Sequence, residues 1–453
     1  MRATFISIMK KNKNISKESS DSMLYKKIFG IRGKHKESKT LNKGLNKWLW
    51  KWHFIAGLIS LPFILILSIT GAIYLFKEDY EKPRQKHIKE VTIRDTKVSF
   101  QKQWGIANTN AVKKPVAMVV PASANQATEF ISGKFGNKSS LFVDPYSGKV
   151  AGEIVTKNTN MFKVRKLHGE LLTGKFGTKI IELIASWMVV LILTGLYIWW
   201  PARGWKIKGL FVPRLKEGKR TFFRDLHAIS GFWFSGLLLL VLAGGLPWTD
   251  VFGESFKQIQ KITNTGYPDT WQGHHLKSQI AGDALTLDQI IAKTKTLQLP
   301  GIVTIDFPKD AKGIFSISNT NPSNLSTQKK IHFNAYTGEQ ILSNNWDDVG
   351  VLMRGRMWVM AFHQGEFGAW NWWLMLCTAI VLTVMSVSAL LSYTLRKRKG
   401  DWGTPKVPAS FTVGNGVIVT LVILALLFPL FGASLLLIIG VEYLVKKNKP
   451  NQI

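Results

Sequence analysis

Four of the nine histidines stand at matched places in two halves of this 453-residue chain. His53 lies in Trp-His-Phe-Ile-Ala-Gly (52–57) and His227 in Leu-His-Ala-Ile-Ser-Gly (226–231), a shared HxxxG opening an apolar stretch. His168 lies in Leu-His-Gly-Glu (167–170) and His363 in Phe-His-Gln-Gly-Glu (362–366), each shortly before another apolar stretch. The offsets are 174 residues for the first pair of equivalents and 195 for the second. Neutral imidazoles facing each other across a helix bundle supply the two axial nitrogens of a b-type haem. Gly57 and Gly231, one turn on, would let a flat macrocycle approach the backbone. Lys51, Arg224, Arg165 and Arg356 lie near the four histidines and could pair with propionates. A lone histidine at a helix end is usually an interfacial polar residue; four in two facing pairs are harder to explain that way. The same four could serve a metal or a proton path. No acid lies deep in the first four apolar stretches to act as relay partner, since Glu182 sits at the outer end of the second.

These positions need helices to hold them, and six apolar stretches can supply them. They run over about 54–76, 180–200, 228–248, 370–391, 411–428 and 430–445, and the last two are split by Pro429 like a tight hairpin. A span needs roughly 20 apolar residues, so the last pair is short and is read as two spans with a re-entrant pair as alternative. The charge supports the same class. There are 60 Lys+Arg against 28 Asp+Glu, net +32, beside 46% hydrophobic residues. Membrane spans with basic flanks reconcile the two, and no nucleic-acid partner is expected. Residues 1–51 carry 14 Lys/Arg and 3 acids, and residues 202–225 carry 8 and 2. With RKRKGDWGTPK at 396–406 and the ending KKNKPNQI, these place both termini in the cytoplasm. Residues 1–40 show no cleaved signal peptide and read as a basic arm near anionic lipid.

The expected organisation is therefore an α-helical polytopic membrane protein, with about six transmembrane helices in a tandem repeat. A basic cytoplasmic arm (1–45) precedes span 1 (46–77), a folded outer segment (78–178) and span 2 (179–201). A basic cytoplasmic loop (202–225), span 3 (226–248), a second outer segment (249–367), span 4 (368–395) and a hairpin (411–428, 430–445) follow. Each outer segment reads as a small α+β domain. LTLDQIIAKT has helical period, while GIVTIDF, GIFSISN and KKIHFNAYTG read as strands, as do AMVVPA, ATEFISG and SLFVDPYSGKV in the first. Asp-Pro-Tyr-Ser-Gly (144–148) matches Asn-Ala-Tyr-Thr-Gly (334–338), a strand ending in a glycine turn. His168 lies 12 residues before Ile180, so a continuous helix would lift it about 18 Å above the hydrocarbon edge. Either the helix projects outward, or LTGKFG turns the chain back.

Other chemistry has little support. Cys377 is the single cysteine, which excludes disulfides and Cys-ligated clusters. No GxxxxGK[ST] or HExxH occurs, and the Gly414-Asn-Gly416 pair lacks a third glycine. His35 and His87 read as solvated, His274 and His275 as a surface loop and His332 as structural, while Met353, Met357 and Met360 read as packing.

The KWHFIAGLISLPFILILSITGAIYLF segment, the DPYSGKV turn, LHGELLTG and the repeated arrangement together resemble the PepSY-associated transmembrane family over about residues 45–445. That family includes iron-regulated inner-membrane proteins and siderophore reductases. The resemblance implies two periplasmic PepSY-like domains and two haem b groups on His53, His168, His227 and His363. It also implies a bacterial inner-membrane oxidoreductase that reduces a ferric siderophore or other chelate. No dinucleotide fold is visible, so the donor is expected to be a cytoplasmic protein or a quinol. The competing expectation is a non-enzymatic PepSY binding module or siderophore permease with the spans as anchor.

Overall fold

The computed structural model describes residues 31–200, 207–397, 403–408 and 410–447. Most of the basic arm, residues 201–206 of the basic loop, residues 398–402 and the ending 448–453 lie outside the described residues. Helix α1 (Ile31–Leu75) leads into α2 (Lys77–Lys89) and α3 (Phe100–Asn110), strands β1 (Ala117–Val119), β2 (Thr128–Ser132), β3 (Ser139–Val143) and β4 (Val150–Val155), and α4 (Asn160–Glu170). Next come α5 (Lys175–Trp199), α6 (Lys219–Gly245), α7 (Val251–Ile262) and α8 (Leu287–Thr296). Strands β5 (Ile302–Asp306), β6 (Ile314–Thr320), β7 (Lys329–Asn334) and β8 (Gln340–Asn345) precede α9 (Val351–His363), α10 (Ala369–Thr394), α11 (Asn415–Leu427) and α12 (Pro429–Lys447).

Among the described residues four helices are long and apolar enough to cross a membrane: Lys43–Leu75, Lys175–Trp199, Lys219–Trp248 and Ala369–Thr394. They close into a ring in which α1 packs on α5, α5 on α6, α6 on α10 and α10 on α1. The ring's centre is apolar: Ile64, Ile184, Met188, Leu238 and Leu382 meet there, with Phe63 and Phe234 against them. The α11–α12 hairpin packs outside this ring. Its 13-residue first helix is about 20 Å long, short of a roughly 30 Å hydrocarbon layer. The chain nevertheless runs from one end of the ring to the other. Phe411 lies against Trp48, ring centres 6.5 Å apart, and Phe428 stacks on Phe252, 5.6 Å apart, just past the far end of α6.

Both long segments between helices fold at one end of the ring, and they share one sheet. Its strand order is β4-β3-β2-β1-β5-β6-β7-β8, antiparallel throughout. The junction is the β1–β5 pair, Met118 opposite Ile305. The sequence suggests two separate small domains; the strands instead meet edge to edge, which removes one exposed edge from each half. Alternation then gives the sheet two unlike faces. Met118, Phe130, Leu141, Ile305, Ile317, Ile331 and Phe333 pack under α3 and α8. The opposite face carries Glu129, Ser140, Asp306, Ser316, Lys330 and His332. Lys330 there pairs with Asp306 at 2.8 Å, and Ser316 Oγ meets His332 Nδ1 at 2.8 Å. Burial, then the Lys330 charge, holds His332 below the usual imidazole range, so it is neutral and structural.

The two matched turns are built alike. Asp144 accepts from the Tyr146 amide at 2.8 Å, and Asn334 Oδ1 accepts from the Tyr336 amide at 2.8 Å. Gly148 and Gly338 both stand at φ 68. An asparagine oxygen serves as well as a carboxylate in such a turn, so Asn-Ala for Asp-Pro leaves its shape intact.

Glu182 also has a definite task. It is buried within α5, and its two oxygens accept from the Val251 and Phe252 amides at 2.8 Å each. The carboxylate thus caps the start of α7, where free amides favour negative charge. Glu182→Ala leaves the two amides at the start of α7 without their buried carboxylate, a cost of up to about 1–3 kcal/mol for each group. Hydrogen exchange should accelerate at Val251 and Phe252 while the α1 amides stay protected.

Candidate functional site

Two histidine pairs form, one at each end of the ring. His53 and His227 face each other at the end away from the sheet, with ring centres 6.3 Å apart. His168 and His363 face each other at the sheet end, with ring centres 6.1 Å apart. The rings are steeply inclined, by 76° and 66°. From His53 to Thr70, the residue that holds His168, α1 climbs 17 residues, so the pairs lie about 25 Å apart along the ring axis.

The sheet-end pair exists because the chain turns back. α4 ends at Glu170, and Leu171 and Leu172 take left-handed φ values of 47 and 60. α5 begins at Lys175, and a Cβ on Gly177 would come within 1.8 Å of the Glu170 carbonyl oxygen, so only glycine permits this close turn. α4 therefore lies along α1 and brings His168 to the level of Thr70 and Gly71, rather than projecting outward. α9 lies along α6 in the same way, and His363 reaches Val241 and Gly244. Past this pair, the Trp372 indole donates to the Leu75 carbonyl at 3.0 Å and ties α1 to α10, while Lys77 at the start of α2 pairs with Glu366 in the turn before α10 at 3.2 Å.

Every Nδ1 of the four is engaged. His227 Nδ1 lies 3.0 Å from the Met385 carbonyl oxygen, and His363 Nδ1 lies 2.9 Å from that of Val241. A carbonyl only accepts, so both rings carry their proton on Nδ1. His53 Nδ1 lies 2.9 Å from Thr194 Oγ1, and His168 Nδ1 lies 3.0 Å from Thr70 Oγ1. Both hydroxyls donate to carbonyls of their own helices, those of Val190 and Ile66 among them, and so accept from the imidazoles. This leaves Nε2 of all four without its proton and free to ligate, the usual arrangement of a metal-bound histidine.

The separation fits one metal atom per pair. Two metal–nitrogen bonds of about 2.0 Å, plus about 1.1 Å from each nitrogen to its ring centre, place the centres about 6.2 Å apart. Among the described residues no group of three His, Cys, Asp or Glu gathers as a cage for a bare ion. Two protein ligands per metal suit an iron whose remaining four come from a porphyrin.

A cavity of about 550 Å³ opens around the His53/His227 pair. Gly57, Gly195 and Gly231 line it with apolar side chains, and Arg214, Arg220, Arg224 and Arg396 stand among its lining residues. Of the four cations named from the sequence, Arg224 is in this lining. Lys51 is not part of the lining; its ammonium lies over the Trp52 ring, 5.8 Å from the centre. Asp225, fully buried, grips Arg214 with two bonds of 2.7 Å and also holds Arg224. The hydrogen bonds to Asp225 push the Arg214 guanidinium further above its usual range. At the sheet end, Arg165 sits over Phe162 at 4.7 Å and the buried Arg356 over Trp248 at 4.1 Å. Burial lowers Arg356 from the usual guanidinium range.

Sequence reasoning missed Thr70, Thr194, Arg214, Arg220 and Arg396. A signal for the threonines exists: Ser-Ile-Thr-Gly-Ala-Ile-Tyr (68–74) and Ile-Leu-Thr-Gly-Leu-Tyr (192–197) share Thr-Gly inside an apolar helix. His274 and His275 stay apart from both pairs, next to each other in a loop. Met357 accepts from the Tyr267 hydroxyl and Met353 from Gln260, so these methionines pack as expected.

The model of the PepSY-associated TM region matches residues 50–396. The chain belongs to that family. It is a membrane protein, mostly helical, whose four apolar spans accompany an antiparallel sheet. No curated protein matches it.

Proposed function

We propose that this PepSY-associated protein is a transmembrane electron conduit. It would hold two haem b groups, His53 and His227 ligating one and His168 and His363 the other. It would reduce a ferric siderophore or another ferric chelate on the sheet side with electrons from the opposite side. The observation that carries this reading is the pair of facing histidines at each end of the ring, every Nδ1 anchored and every Nε2 free. Haem bound at both ends would supply one-electron chemistry near each face of the membrane. The protein's residues do the rest. The histidines fix the iron positions, Arg214, Arg220 and Arg224 offer charge to propionates, and the apolar layer around Leu238 and Leu382 keeps water from joining the two ends. That layer argues against the proton path. Siderophore oxygens are hard ligands that suit Fe(III) better than Fe(II), so reduction would release the metal. The donor would be a cytoplasmic protein or a quinol. A Soret band in the purified protein tests the reading; a colourless protein would leave an anchor or permease for the PepSY region instead.

We place the protein in a bacterial inner membrane, its six spans forming a tandem repeat, with both PepSY-like segments periplasmic and both termini cytoplasmic. The basic residues at 1–51 and 202–225 support this sidedness. Reporter fusions at Lys138 and Asn319 should be active as periplasmic enzymes, and those at Lys216 and Lys399 as cytoplasmic ones. The reverse pattern at Lys216 would invert the direction of electron flow.

A further inference from the structure

Main-chain carbonyls reach all four histidines, and two of the rings, one in each pair, also meet a threonine hydroxyl. In the first half the helices exchange hydroxyls: α1 carries His53, held by Thr194 of α5, while α1's Thr70 holds His168 at the end of α4. In the second half the helices exchange carbonyls: α10 holds His227 of α6 through Met385, and α6 holds His363 of α9 through Val241. Each pair therefore combines one ring that a threonine hydroxyl reaches with one held by a carbonyl, and main-chain bonds from Leu191 and Leu67 also reach His53 and His168. The sequence explains the difference. With the offset of 174, Gly244-Gly245 stands where Thr70-Gly71 does, and with α5 and α10 starting at Lys175 and Ala369, Ser388-Ala389 stands where Thr194-Gly195 does. On α10 the Ser388 hydroxyl donates to the Met385 carbonyl at 2.9 Å, and that carbonyl takes the His227 proton; on α6 no hydroxyl stands at Gly244, and the Val241 carbonyl serves.

The two Thr-Gly seats are alike in a second respect. A Cβ on Gly71 would lie 3.3 Å from His168 Cε1, and one on Gly195 would lie 3.2 Å from His53 Cε1. The glycine makes room for the ring edge while the neighbouring threonine takes its Nδ1 proton. We infer that Thr70 and Thr194 are positioning residues, each setting the tilt and basicity of one histidine and through it the redox potential at one end of the membrane. The inference rests on the haem reading above. A backbone carbonyl cannot be changed by a side-chain substitution, but a hydroxyl can. The two threonines are therefore where the potentials at the two ends are set independently.

The sign follows from ligand chemistry. A hydrogen bond from Nδ1–H raises the basicity of Nε2, which favours ferric over ferrous iron. Removing the acceptor reverses this and raises the midpoint potential. Thr194→Val should raise the midpoint of the His53/His227 site alone, and Thr70→Val that of the His168/His363 site alone. A tenfold change in relative affinity for the two oxidation states corresponds to about 59 mV for one electron, and a shift of that order is expected. Haem retention at the affected site should weaken about 10–100-fold, as for other partners of metal-bound histidines. Thr→Ser at either position should restore both quantities. The experiment is a spectral redox titration of the purified protein and its variants, with each midpoint assigned from His363→Ala, which keeps only the His53/His227 site. If both valine variants keep both wild-type midpoints, or if each moves both midpoints together, the threonines are mere packing and the inference falls. Absence of haem from the wild-type protein would overturn the inference together with the reading beneath it.

Discussion

Purified in detergent, the protein should carry two haems b per chain by pyridine haemochrome, and single histidine substitutions should remove them one at a time. His53→Ala or His227→Ala empties the site lined by Arg214 and Arg224; His168→Ala or His363→Ala empties the site beside Gly71 and Gly244. On the haem reading each substitution would remove one of two protein ligands, and the remaining imidazole would hold the metal through a single bond. The halves should be independent, because about 25 Å of α1 separates them and the packing between them is apolar. The spectra carry a second expectation. The paired rings are inclined by 76° and 66°. Imidazole planes set that steeply leave two iron d orbitals nearly degenerate, so the ferric protein should give strongly anisotropic low-spin EPR signals. A rhombic signal from parallel rings would contradict the geometry. A content of one haem, unchanged in His168→Ala and His363→Ala, would reduce the sheet-end pair to a structural contact.

Much of this site was legible in the chain because it is repeated. His53 and His227 are recognisable by HxxxG, and His168 and His363 by their place before a span; repetition turned four ordinary polar residues into two pairs. The spans and the two Asx turns were readable for local reasons, hydropathy in one case and a turn-forming residue with glycine in the other. The features that escaped are non-local. β1 has only three residues, Ala117–Val119, and its partner β5 lies far along the chain, so nothing near it shows that the two outer segments share a sheet. The turn that brings α4 back along α1 was one of the two readings of LTGKFG, but its left-handed leucines at 171 and 172 have no propensity for that conformation and gave no local reason to choose it. Arg214 and Arg396 reach the cavity through helix packing that spacing does not encode. The Thr-Gly seats were visible in principle, since the dipeptide recurs, but threonine within an apolar helix ordinarily bonds its own backbone and attracts no notice.

Reduction of an external ferric chelate should require both pairs, and the two losses should differ in kind. Neither pair reaches both faces of a hydrocarbon layer of about 30 Å: His53 and His227 sit at the end near the basic segments, while His168 and His363 sit under the sheet. In His363→Ala, the remaining site should still become reduced when the native donor side is supplied, yet chelate reduction should fall to background because nothing at the sheet end passes the electron on. In His227→Ala, dithionite should still reduce the remaining site and external ferric chelate should reoxidise it, but the native donor side should leave it oxidised. Stopped-flow spectra of the two proteins in sealed vesicles separate these outcomes. The asymmetry matters more than the size of either loss. A variant that only unfolded would lose both reactions, whereas a conduit with its ends in series loses a different one at each end. If His363→Ala reduced external chelate at the wild-type rate, the sheet-end histidines would have no part in the reaction. The chelate would then have to meet its electron elsewhere, and among the described residues the other site built for it is the one at the opposite face.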